Sequence, residues 1–310
     1  MSVKEPSPFR EIGIFADKGF FMQYIEAKSI LSKLRQADSL FGLTYNMNLY
    51  RGCQHGCIYC DTRSDCYGIG DISKISVKRN ALELLERELR AKRGRKGTIG
   101  TGSMNDPYMP AEEKTGIVRE ALARIAASRF PVHVITKGTL VTRDADILQD
   151  ISAVYAAVSF TVTCADDAQA RILEPGAPPS SARFKAMETL ASRSIYTGVT
   201  LMPLLPFLTD TVENVREILR RAKDSGAYYV LPMFGTTLRA GSRDYFYRAL
   251  EKQFPGMKER YISAFGSRYE CWSDNYKALS EAFYGECRQL GLQTRMEFYA
   301  GEPQAQMSLF

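Results

Sequence analysis

Three cysteines lie within eight consecutive positions of this 310-residue chain, which contains seven cysteines in all. Cys53, Cys57 and Cys60 stand in the stretch YRGCQHGCIYCD with the spacing C-x3-C-x2-C. Thiols crowded in this way, in a chain with an odd number of cysteines, favour metal or redox chemistry over a disulfide framework. Gly52 and Gly56 allow the backbone to curl tightly enough for the three sulfur atoms to converge.

Three thiolates supply only three of the four protein ligands that a closed metal site commonly has. A cubane iron–sulfur cluster has four irons, so three cysteine ligands leave the fourth iron open to a small molecule. A structural zinc ion is the alternative, because it takes four ligands, and Cys66 or His55 would then complete the set. We favour a [4Fe-4S] cluster because of the spacing and because the cysteines directly follow a predicted strand.

Short apolar runs that end in polar residues alternate along the chain with helix-like stretches. The predicted strands are 43–50, 98–102, 132–136, 154–162, 197–203 and 228–233. The predicted helices between them are 80–93, 112–128, 143–151, 181–192 and 211–225. Six strands that alternate with helices indicate a parallel sheet, and right-handed crossovers bend such a series toward a barrel.

The predicted fold class is therefore α/β, a partial (β/α)6 TIM-like barrel with a mainly helical C-terminal extension. The predicted parts are an N-terminal leader packed on the barrel (1–42), the barrel (43–236), the extension (237–300) and a flexible tail (301–310). A last short strand is predicted at 294–299. Loops after the carboxyl ends of barrel strands hold the chemistry of such folds, and the three cysteines fall in one of them.

The composition is that of an ordinary globular protein, with 45% hydrophobic and 25% charged residues. No apolar run approaches the roughly 18 residues that cross a bilayer, and the first residues lack the apolar core of a secretory signal. We therefore expect a cytoplasmic protein with no membrane partner. The net charge of +6 permits binding to a polyanion without demonstrating it.

The cysteine motif, with Tyr59 as the aromatic residue before its last cysteine, resembles the signature of the radical S-adenosylmethionine (SAM) superfamily. The resemblance implies that the open iron binds the amino and carboxylate groups of SAM. It implies that an electron from the cluster splits SAM into methionine and a 5′-deoxyadenosyl radical, with Tyr59 near the adenine. An electron donor such as flavodoxin or ferredoxin is implied as a partner.

Six segments, one for each predicted βα unit, resemble the spore photoproduct lyase-like branch of this superfamily. They are NLYRGCQHGCIYC, TGSMNDPYMP, VITKG, SFTVT, LEPGAP…RF and GVTLMPLLPF…D. The namesake of the branch reverses a UV-made thymine dimer in DNA. The resemblance spans about 43–235 and implies a radical enzyme that acts on nucleic acid, most directly in the repair of a damaged DNA base.

The resemblance assigns expected SAM contacts to several residues. Lys137 matches a lysine near the SAM carboxylate, where a cation suits an anion. Ser159 corresponds approximately to a serine that contacts SAM, and Thr161 alternates with it on the same strand and points the same way. Gly198 and Leu201 sit where family members line the adenine.

Two positions depart from the lyase pattern. Ser103 aligns with a cysteine that returns a hydrogen atom to the repaired product, and a serine O–H bond is too strong to do this readily. Asp61 stands where the lyase relays through a tyrosine, whereas Tyr59 is retained. Ser103 and Asn105 follow a strand, where contact with SAM or substrate is expected. Repair of spore photoproduct by the same relay is not expected.

Other residues are candidates for the hydrogen-atom donor. Cys66 lies six residues beyond the cluster motif, Cys164 ends a predicted barrel strand, and Cys271 belongs to the extension. Tyr108 follows the second predicted strand. Each of the three cysteines has the alternative role of an inert buried thiol.

Two further features of the sequence have expected roles. Glu174 and Arg183 resemble a family loop of the form EP…R, and we expect them to order that loop. The extension is rich in aromatic residues that are candidates for stacking on bases. They are Tyr245, Phe246, Tyr247, Tyr261, Phe265, Tyr269 and Trp272.

The chain ends in a peptide that resembles the motif by which bacterial polymerases and repair proteins bind the sliding clamp. Its residues are Gln306, Met307, Ser308, Leu309 and Phe310. In that motif the last leucine and phenylalanine enter an apolar pocket, and Met307 is a conservative replacement for the usual leucine. The sequence therefore predicts a clamp as a partner.

Two alternative functions stay open from the sequence. One is a radical SAM enzyme that modifies a peptide, a tRNA or a small metabolite. The other is a non-catalytic iron–sulfur protein that binds DNA or the clamp, which would form no 5′-deoxyadenosine from SAM.

Overall fold

The computed structural model describes residues 11–17, 20–36 and 38–301, with side chains from residue 22 onward. Its strands are β1 (Glu11–Asp17), β2 (Phe20–Ile25), β3 (Leu31–Lys33), β4 (Tyr45–Met47), β5 (Tyr50–Arg51), β6 (Ile75–Lys78), β7 (Ile99–Thr101), β8 (Val132–Thr136), β9 (Ala156–Thr161), β10 (Tyr196–Leu201), β11 (Tyr229–Pro232), β12 (Gly235–Thr237) and β13 (Glu270–Trp272). Its helices are α1 (Ala81–Ala91), α2 (Ala111–Thr115), α3 (Ile117–Ala127), α4 (Ala145–Ser152), α5 (Asp167–Leu173), α6 (Ser180–Ala191), α7 (Val212–Asp224), α8 (Ser242–Gln253), α9 (Met257–Phe265) and α10 (Tyr276–Leu290).

A seven-stranded sheet with the order β11-β10-β9-β8-β7-β4-β3 forms the centre of the fold. The six strands from β4 to β11 in this order are parallel, and β3 joins the edge antiparallel to β4. Helices of the intervening segments cover the sheet, and β9 is buried at every position, as expected for a strand between packed layers. The structure confirms the predicted α/β fold of the partial TIM-like barrel type. The predicted part boundaries stay predictions.

The start of the barrel differs from the prediction of one strand at 43–50. The chain forms two short strands there, because β4 pairs with β7 of the large sheet whereas β5 pairs with β6 of a second sheet. The second sheet has the order β1-β2-β6-β5. The three cysteines therefore follow β5 of the small sheet, beside the carboxyl edge of the barrel strands.

The helices bury apolar side chains at helical spacing against the sheet. In α7 the buried residues are Val215, Ile218, Leu219 and Ala222, which share one face of the helix. The predicted helix at 112–128 is divided into α2 and α3 at Gly116, whose φ of 62° lies in the left-handed region that glycine adopts without strain.

The predicted strand at 294–299 is wrong. The backbone of this segment finds side-chain partners instead: Glu297 N–H donates to the Tyr196 hydroxyl at 2.9 Å, and its carbonyl accepts from the Tyr155 hydroxyl at 2.7 Å. A single bridge from Gln293 to Tyr229 is the only strand-like pairing near this segment in the described residues.

The segment after the barrel consists of α8, α9 and α10 with a two-stranded ribbon of β12 and β13. The buried rings of Phe246, Tyr261 and Phe265 form a second apolar core with Cys164 and Cys271. In the part of the chain that is described, no helix combines the length and the apolar character needed to cross a membrane. The predicted clamp peptide at 306–310 lies outside the described residues.

Candidate active site

The loop that carries the three cysteines is shaped by glycine and by backbone hydrogen bonds. Gly52 has a φ of 86°, and a Cβ there would lie 2.6 Å from the carbonyl oxygen of Lys74, so a larger residue does not fit. The N–H of Cys53 donates to Ile72 at 2.7 Å, and the N–H of Ile58 donates to Leu173 at 2.9 Å. The loop is therefore fixed on both sides before any metal binds.

Cys53, Cys57 and Cys60 line one cavity of about 350 Å³ at the carboxyl ends of the parallel strands. This volume falls within the range of about 300–1,000 Å³ that is typical of small-molecule sites. The other walls come from the loop after β7, from the ends of β8 and β9, from the segments after β10 and β11, and from β12. The residues of these walls include Ser103, Asn105, Asp106, Thr136, Lys137, Thr161, Met202, Pro203, Met233, Thr236 and Thr237.

The three thiols are available as metal ligands. All three cysteines are free. Burial, aided by the charge of Asp106, raises the pKa of Cys53 to about 11, and burial also raises the pKa of Cys57 against the opposing charge of Lys137. Bound metal reverses such an effect, because a coordinating thiol is deprotonated outright.

The two side chains proposed as a fourth zinc ligand have partners other than the three thiols. No group of three or more His, Cys, Asp or Glu side chains in the described residues, the three cysteines included, is arranged to hold a metal ion. Of the two proposed fourth ligands, His55 faces Asp106 with 3.3 Å between Nδ1 and Oδ2. Cys66 is exposed, and its Sγ accepts from Arg239 at 3.5 Å.

Asp106 connects the cysteine loop to the end of β8. Its carboxylate accepts hydrogen bonds from the Thr136 hydroxyl at 2.6 Å and from the backbone N–H groups of Lys137 at 2.6 Å and Tyr108 at 2.9 Å. Burial alone would raise the pKa of Asp106, but His55 and these hydrogen bonds hold it at about 2. The side chain is therefore an ionised acceptor at neutral pH.

A buried group of charges lies behind the cavity wall. Glu174 accepts hydrogen bonds from the Tyr59 hydroxyl and from Arg183, and its Oε1 lies 3.9 Å from Nζ of Lys137. Burial alone would lower the pKa of Lys137, but the charges of Cys57 and Glu174 raise it. The Lys137 ammonium thus stays charged at the cavity, 5.7 Å from the centre of the Tyr59 ring.

Several residues predicted to bind the cofactor meet at this cavity. Ser103, Asn105, Lys137 and Thr161 line it together with Tyr59. The side-chain amide of Asn105 donates to the Tyr50 carbonyl at 2.9 Å, which orders the loop after β7.

Three other predicted SAM contacts are not at the cavity. Ser159 is buried deeper in the barrel, where its hydroxyl lies 2.7 Å from both His133 Nε2 and the Tyr229 hydroxyl. A Cβ on Gly198 would lie 2.4 Å from the Tyr229 ring, so this glycine makes room for that ring. Leu201 is buried, and the adjacent Met202 lines the cavity instead.

The candidate hydrogen-atom donors have separate environments. The Tyr108 hydroxyl donates a hydrogen bond to Asp144 at 3.0 Å, and Tyr108 lines a different cavity. The thiol of Cys164 donates to Gln169 at 3.1 Å, and that of Cys271 contacts the Arg268 carbonyl at 3.8 Å, both buried in the second core. Cys66 is the exposed thiol of the three.

Residues that the sequence analysis did not name complete the site, and some of them have no signal in the local sequence. Thr236 and Thr237 reach the cavity because β12 pairs with β13 more than thirty residues later. Met202, Pro203 and Met233 follow the ends of β10 and β11, a position that is itself a signal for a site residue in a parallel barrel.

The fold and the site together define an α/β partial-barrel protein with a cysteine-lined cavity at the carboxyl edge of its parallel sheet. The Radical SAM superfamily model matches residues 47–222, and the chain belongs to this superfamily. Its cofactors are those of the superfamily, a [4Fe-4S] cluster and SAM.

Curated relatives that match this chain carry the description "uncharacterized protein". A protein of Mycobacterium tuberculosis is 30% identical over 250 residues, which cover 78% of this chain and 73% of the relative. A protein of Methanocaldococcus jannaschii is 30% identical over 217 residues, which cover 69% of this chain and 78% of the relative.

Two solved structures illustrate the shared fold. Spore photoproduct lyase complexed with dinucleoside spore photoproduct superposes with a TM-score of 0.66 at 15% identity, over 87% of this chain and 79% of the lyase. A radical SAM methyltransferase from Kitasatospora setae, with a tryptophan substrate and a SAM analogue bound, gives a TM-score of 0.51 at 13% identity, over 79% of this chain and 51% of that one.

Proposed function

We propose that Cys53, Cys57 and Cys60 hold the cluster of a radical SAM enzyme that acts on nucleic acid, most directly on a damaged base in DNA. The observation that carries this proposal is the meeting of three free cysteines and a charged lysine, Lys137, at one cavity on the carboxyl edge of the sheet. The chemistry of a barrel belongs at this edge.

When bound, the cluster supplies the electron that splits SAM into methionine and a 5′-deoxyadenosyl radical. The protein's own part is to bind and orient. Lys137 offers a fixed cation to the SAM carboxylate, because Glu174 on its far side holds it at the wall. Met202 and Met233 provide apolar surface that limits water near the reacting groups.

Two features support nucleic acid as the substrate. The sequence motifs follow the order found in the photoproduct lyase-like branch, and the fold is similar to that of a lyase complexed with a dinucleoside photoproduct. The net charge of +6 is compatible with such a substrate. Ser103 lines the cavity where the lyase-like pattern has a cysteine, and the Asp61 carboxylate accepts from Ser64 and Tyr67. We therefore propose a lesion other than spore photoproduct, or a different route for the final hydrogen atom.

Anaerobic reconstitution tests the proposal in two stages. In the first stage the loaded enzyme is incubated with SAM and dithionite and should yield 5′-deoxyadenosine. The Cys57→Ala variant should lose both the colour of the cluster and this product. The control variant Cys287→Ala, which alters a buried thiol of α10, should retain both. Cleavage by Cys57→Ala would refute the cluster assignment. In the second stage UV-irradiated DNA is added and its nucleosides are analysed by mass; no altered nucleoside would refute the substrate and leave the SAM chemistry standing.

We also propose that the peptide at 306–310 binds the sliding clamp and brings the enzyme to newly copied DNA in the cytoplasm. Deletion of these five residues should remove binding to purified clamp, whereas the exchange of Ser308 for alanine should keep it. Binding that survives the deletion, or intact protein that never binds, would remove this partner.

A further inference from the structure

Four aromatic side chains remain exposed in segments that adjoin residues of the cavity wall. They are Tyr67, Tyr269, Trp272 and Tyr276, with exposed fractions of 38%, 42%, 45% and 51%. Other rings of the same region, such as Phe246, Tyr261 and Phe265, are buried in the second core. Exposed rings of this number in neighbouring segments indicate a binding surface, because burial of large rings would otherwise be favourable.

Trp272 is tied to the cavity by the register of the ribbon. In the pairing of β12 with β13, Gly235 faces Trp272 and Thr237 faces Glu270. Thr237 lines the cavity and lies diagonally across from Trp272 on the same face, which corresponds to a separation of about 7–8 Å. The indole N–H donates to Glu270 at 3.0 Å, so the ring is held in one orientation.

Gly235 is required for this arrangement. A Cβ at this position would lie 2.9 Å from the Trp272 ring and 2.7 Å from the Cys271 carbonyl. The ring of Tyr276 meets the Trp272 ring edge-on, with centroids 6.3 Å apart at 89°. The two rings therefore contact each other and form one exposed corner.

Arg239 lies between two further rings, two residues after Thr237. Its guanidinium is 4.5 Å from the centre of the Tyr269 ring and 5.7 Å from that of Tyr67, and it donates to the Tyr269 hydroxyl at 2.7 Å. The Tyr67 hydroxyl donates at 2.9 Å to Asp61, which lines the cavity. This stack is therefore joined to the cavity wall through Asp61, as Trp272 is joined to it through the ribbon.

We propose that Tyr67, Arg239, Tyr269, Trp272 and Tyr276, the aromatic rim, bind unpaired bases of a nucleic acid and guide one of them into the cavity. This inference rests on the proposed function and specifies its substrate as single-stranded or locally opened nucleic acid. Bases present their ring faces only when they are unpaired, and base–aromatic stacking with arginine nearby is the usual way to bind them without sequence preference.

The chemistry of the rim favours nucleic acid over a peptide. Its carboxylates are engaged within the rim, Glu270 by Trp272 and Asp61 by Tyr67 and Arg239. What the rim presents to a ligand is aromatic surface, which matches the ring faces of bases, while the Arg239 guanidinium holds the Tyr67 and Tyr269 rings in place.

Trp272 is the only tryptophan of the chain, so its fluorescence reports on the rim directly. The loaded enzyme is titrated with oligothymidylate, with a hairpin duplex of the same length and with an unstructured peptide of equal length. We expect oligothymidylate to quench the emission at lower concentration than the duplex does. Equal quenching by the peptide, or no quenching by oligothymidylate, would overturn the proposal.

Labelled oligothymidylate then measures the affinity of variants by anisotropy. Trp272→Ala and Tyr269→Ala should each weaken binding by about 5- to 150-fold, the loss of about 1–3 kcal/mol for a stacked base. Tyr228→Ala is the matched control, because Tyr228 is 52% exposed but precedes the amino end of β11, on the opposite edge of the sheet. If the control variant loses as much affinity for oligothymidylate as the rim variants do, the proposed binding of bases by the rim is contradicted.

The result of this binding test can be distinguished from the result of the test of the proposed function. Formation of 5′-deoxyadenosine by the unaltered enzyme without DNA tests the SAM chemistry and does not depend on the rim. Cluster absorbance and circular dichroism of each variant show whether it is folded and loaded. If a folded and loaded Trp272→Ala variant binds oligothymidylate as tightly as the unaltered enzyme does, the proposed binding of bases by the rim is refuted. The proposed SAM chemistry is not affected by that result.

Discussion

Nδ1 of His55 lies 3.3 Å from Oδ2 of Asp106, and both side chains are buried between the cysteine loop and the end of β8. His55 stands between Cys53 and Cys57 in the chain, so this contact fixes the middle of the loop. Asp106 is held in turn by hydrogen bonds from Thr136 and Lys137. The loop is thereby joined to a barrel strand through one ionised carboxylate.

We expect Asp106→Asn to weaken retention of the cluster. The variant keeps the size of the side chain but loses the charge and one acceptor oxygen, and removal of a supporting partner of a metal site costs about 10–100-fold in affinity or activity. Iron per chain and visible absorbance after gel filtration measure the effect. Asp150→Asn, an exposed change of the same kind in α4, should load fully. Full loading of Asp106→Asn would contradict the role of this contact.

Lys137→Met should weaken the binding of SAM. Hydrogen bonds to charged groups contribute about 1.5–3 kcal/mol, which corresponds to about a 10- to 150-fold increase in Kd. Equilibrium dialysis of SAM against the loaded enzyme measures this Kd. Lys185→Met, which removes an exposed lysine of α6, is the control and should leave Kd unchanged. An unchanged Kd for Lys137→Met would mean that the SAM carboxylate is bound elsewhere.

The order of strands and helices could be read from the sequence because each barrel strand is a short apolar run and each helix has one apolar face. The division of 43–50 into β4 and β5 could not, because local pattern does not reveal that neighbouring residues pair with different sheets. The ribbon was missed for the same reason: β12 and β13 are three residues each, and their pairing partner is distant in the chain.

The cysteine spacing predicted three residues that line one cavity in the structure, but it did not predict how far along a strand each neighbouring residue lies. Ser159 and Thr161 alternate on one face of β9, yet Thr161 lines the cavity while Ser159 bonds to His133 and Tyr229 inside the barrel. The alternation of side chains along a strand specifies the face on which a residue lies, but not how close that residue is to the open end of the barrel. The position of Tyr229, from another strand, decides which hydroxyl is accessible.

Cys66→Ala tests which thiol, if any, returns a hydrogen atom to the product. Cys66 is exposed beside Arg239 of the rim, whereas Cys164 and Cys271 are buried with their thiols engaged. Thiol hydrogens exchange with solvent, so turnover of UV-irradiated DNA in deuterated water should give deuterated product, measured by mass. We expect Cys66→Ala to lose most of this product while Cys287→Ala keeps it. Undiminished deuteration in Cys66→Ala would exclude this thiol as donor.

His133 makes the stability of the protein depend on pH. Burial lowers its pKa from 6.5 to about 3, so the folded protein keeps His133 neutral where the unfolded chain takes up a proton. Stability is therefore expected to fall as pH drops below about 6.5, by about 2 kcal/mol between pH 8 and pH 5 for this one group.

Urea unfolding of the metal-free chain across this pH range measures the effect, with His133→Gln as the comparison. The glutamine amide can still hydrogen-bond Ser159 but does not titrate, so the variant should lose that part of the pH dependence. The only other histidine of the chain, His55, is present in both proteins and cancels in the difference. Parallel stability curves for the two proteins would show that His133 is not held neutral, because a depressed pKa must appear as a difference in proton uptake on unfolding.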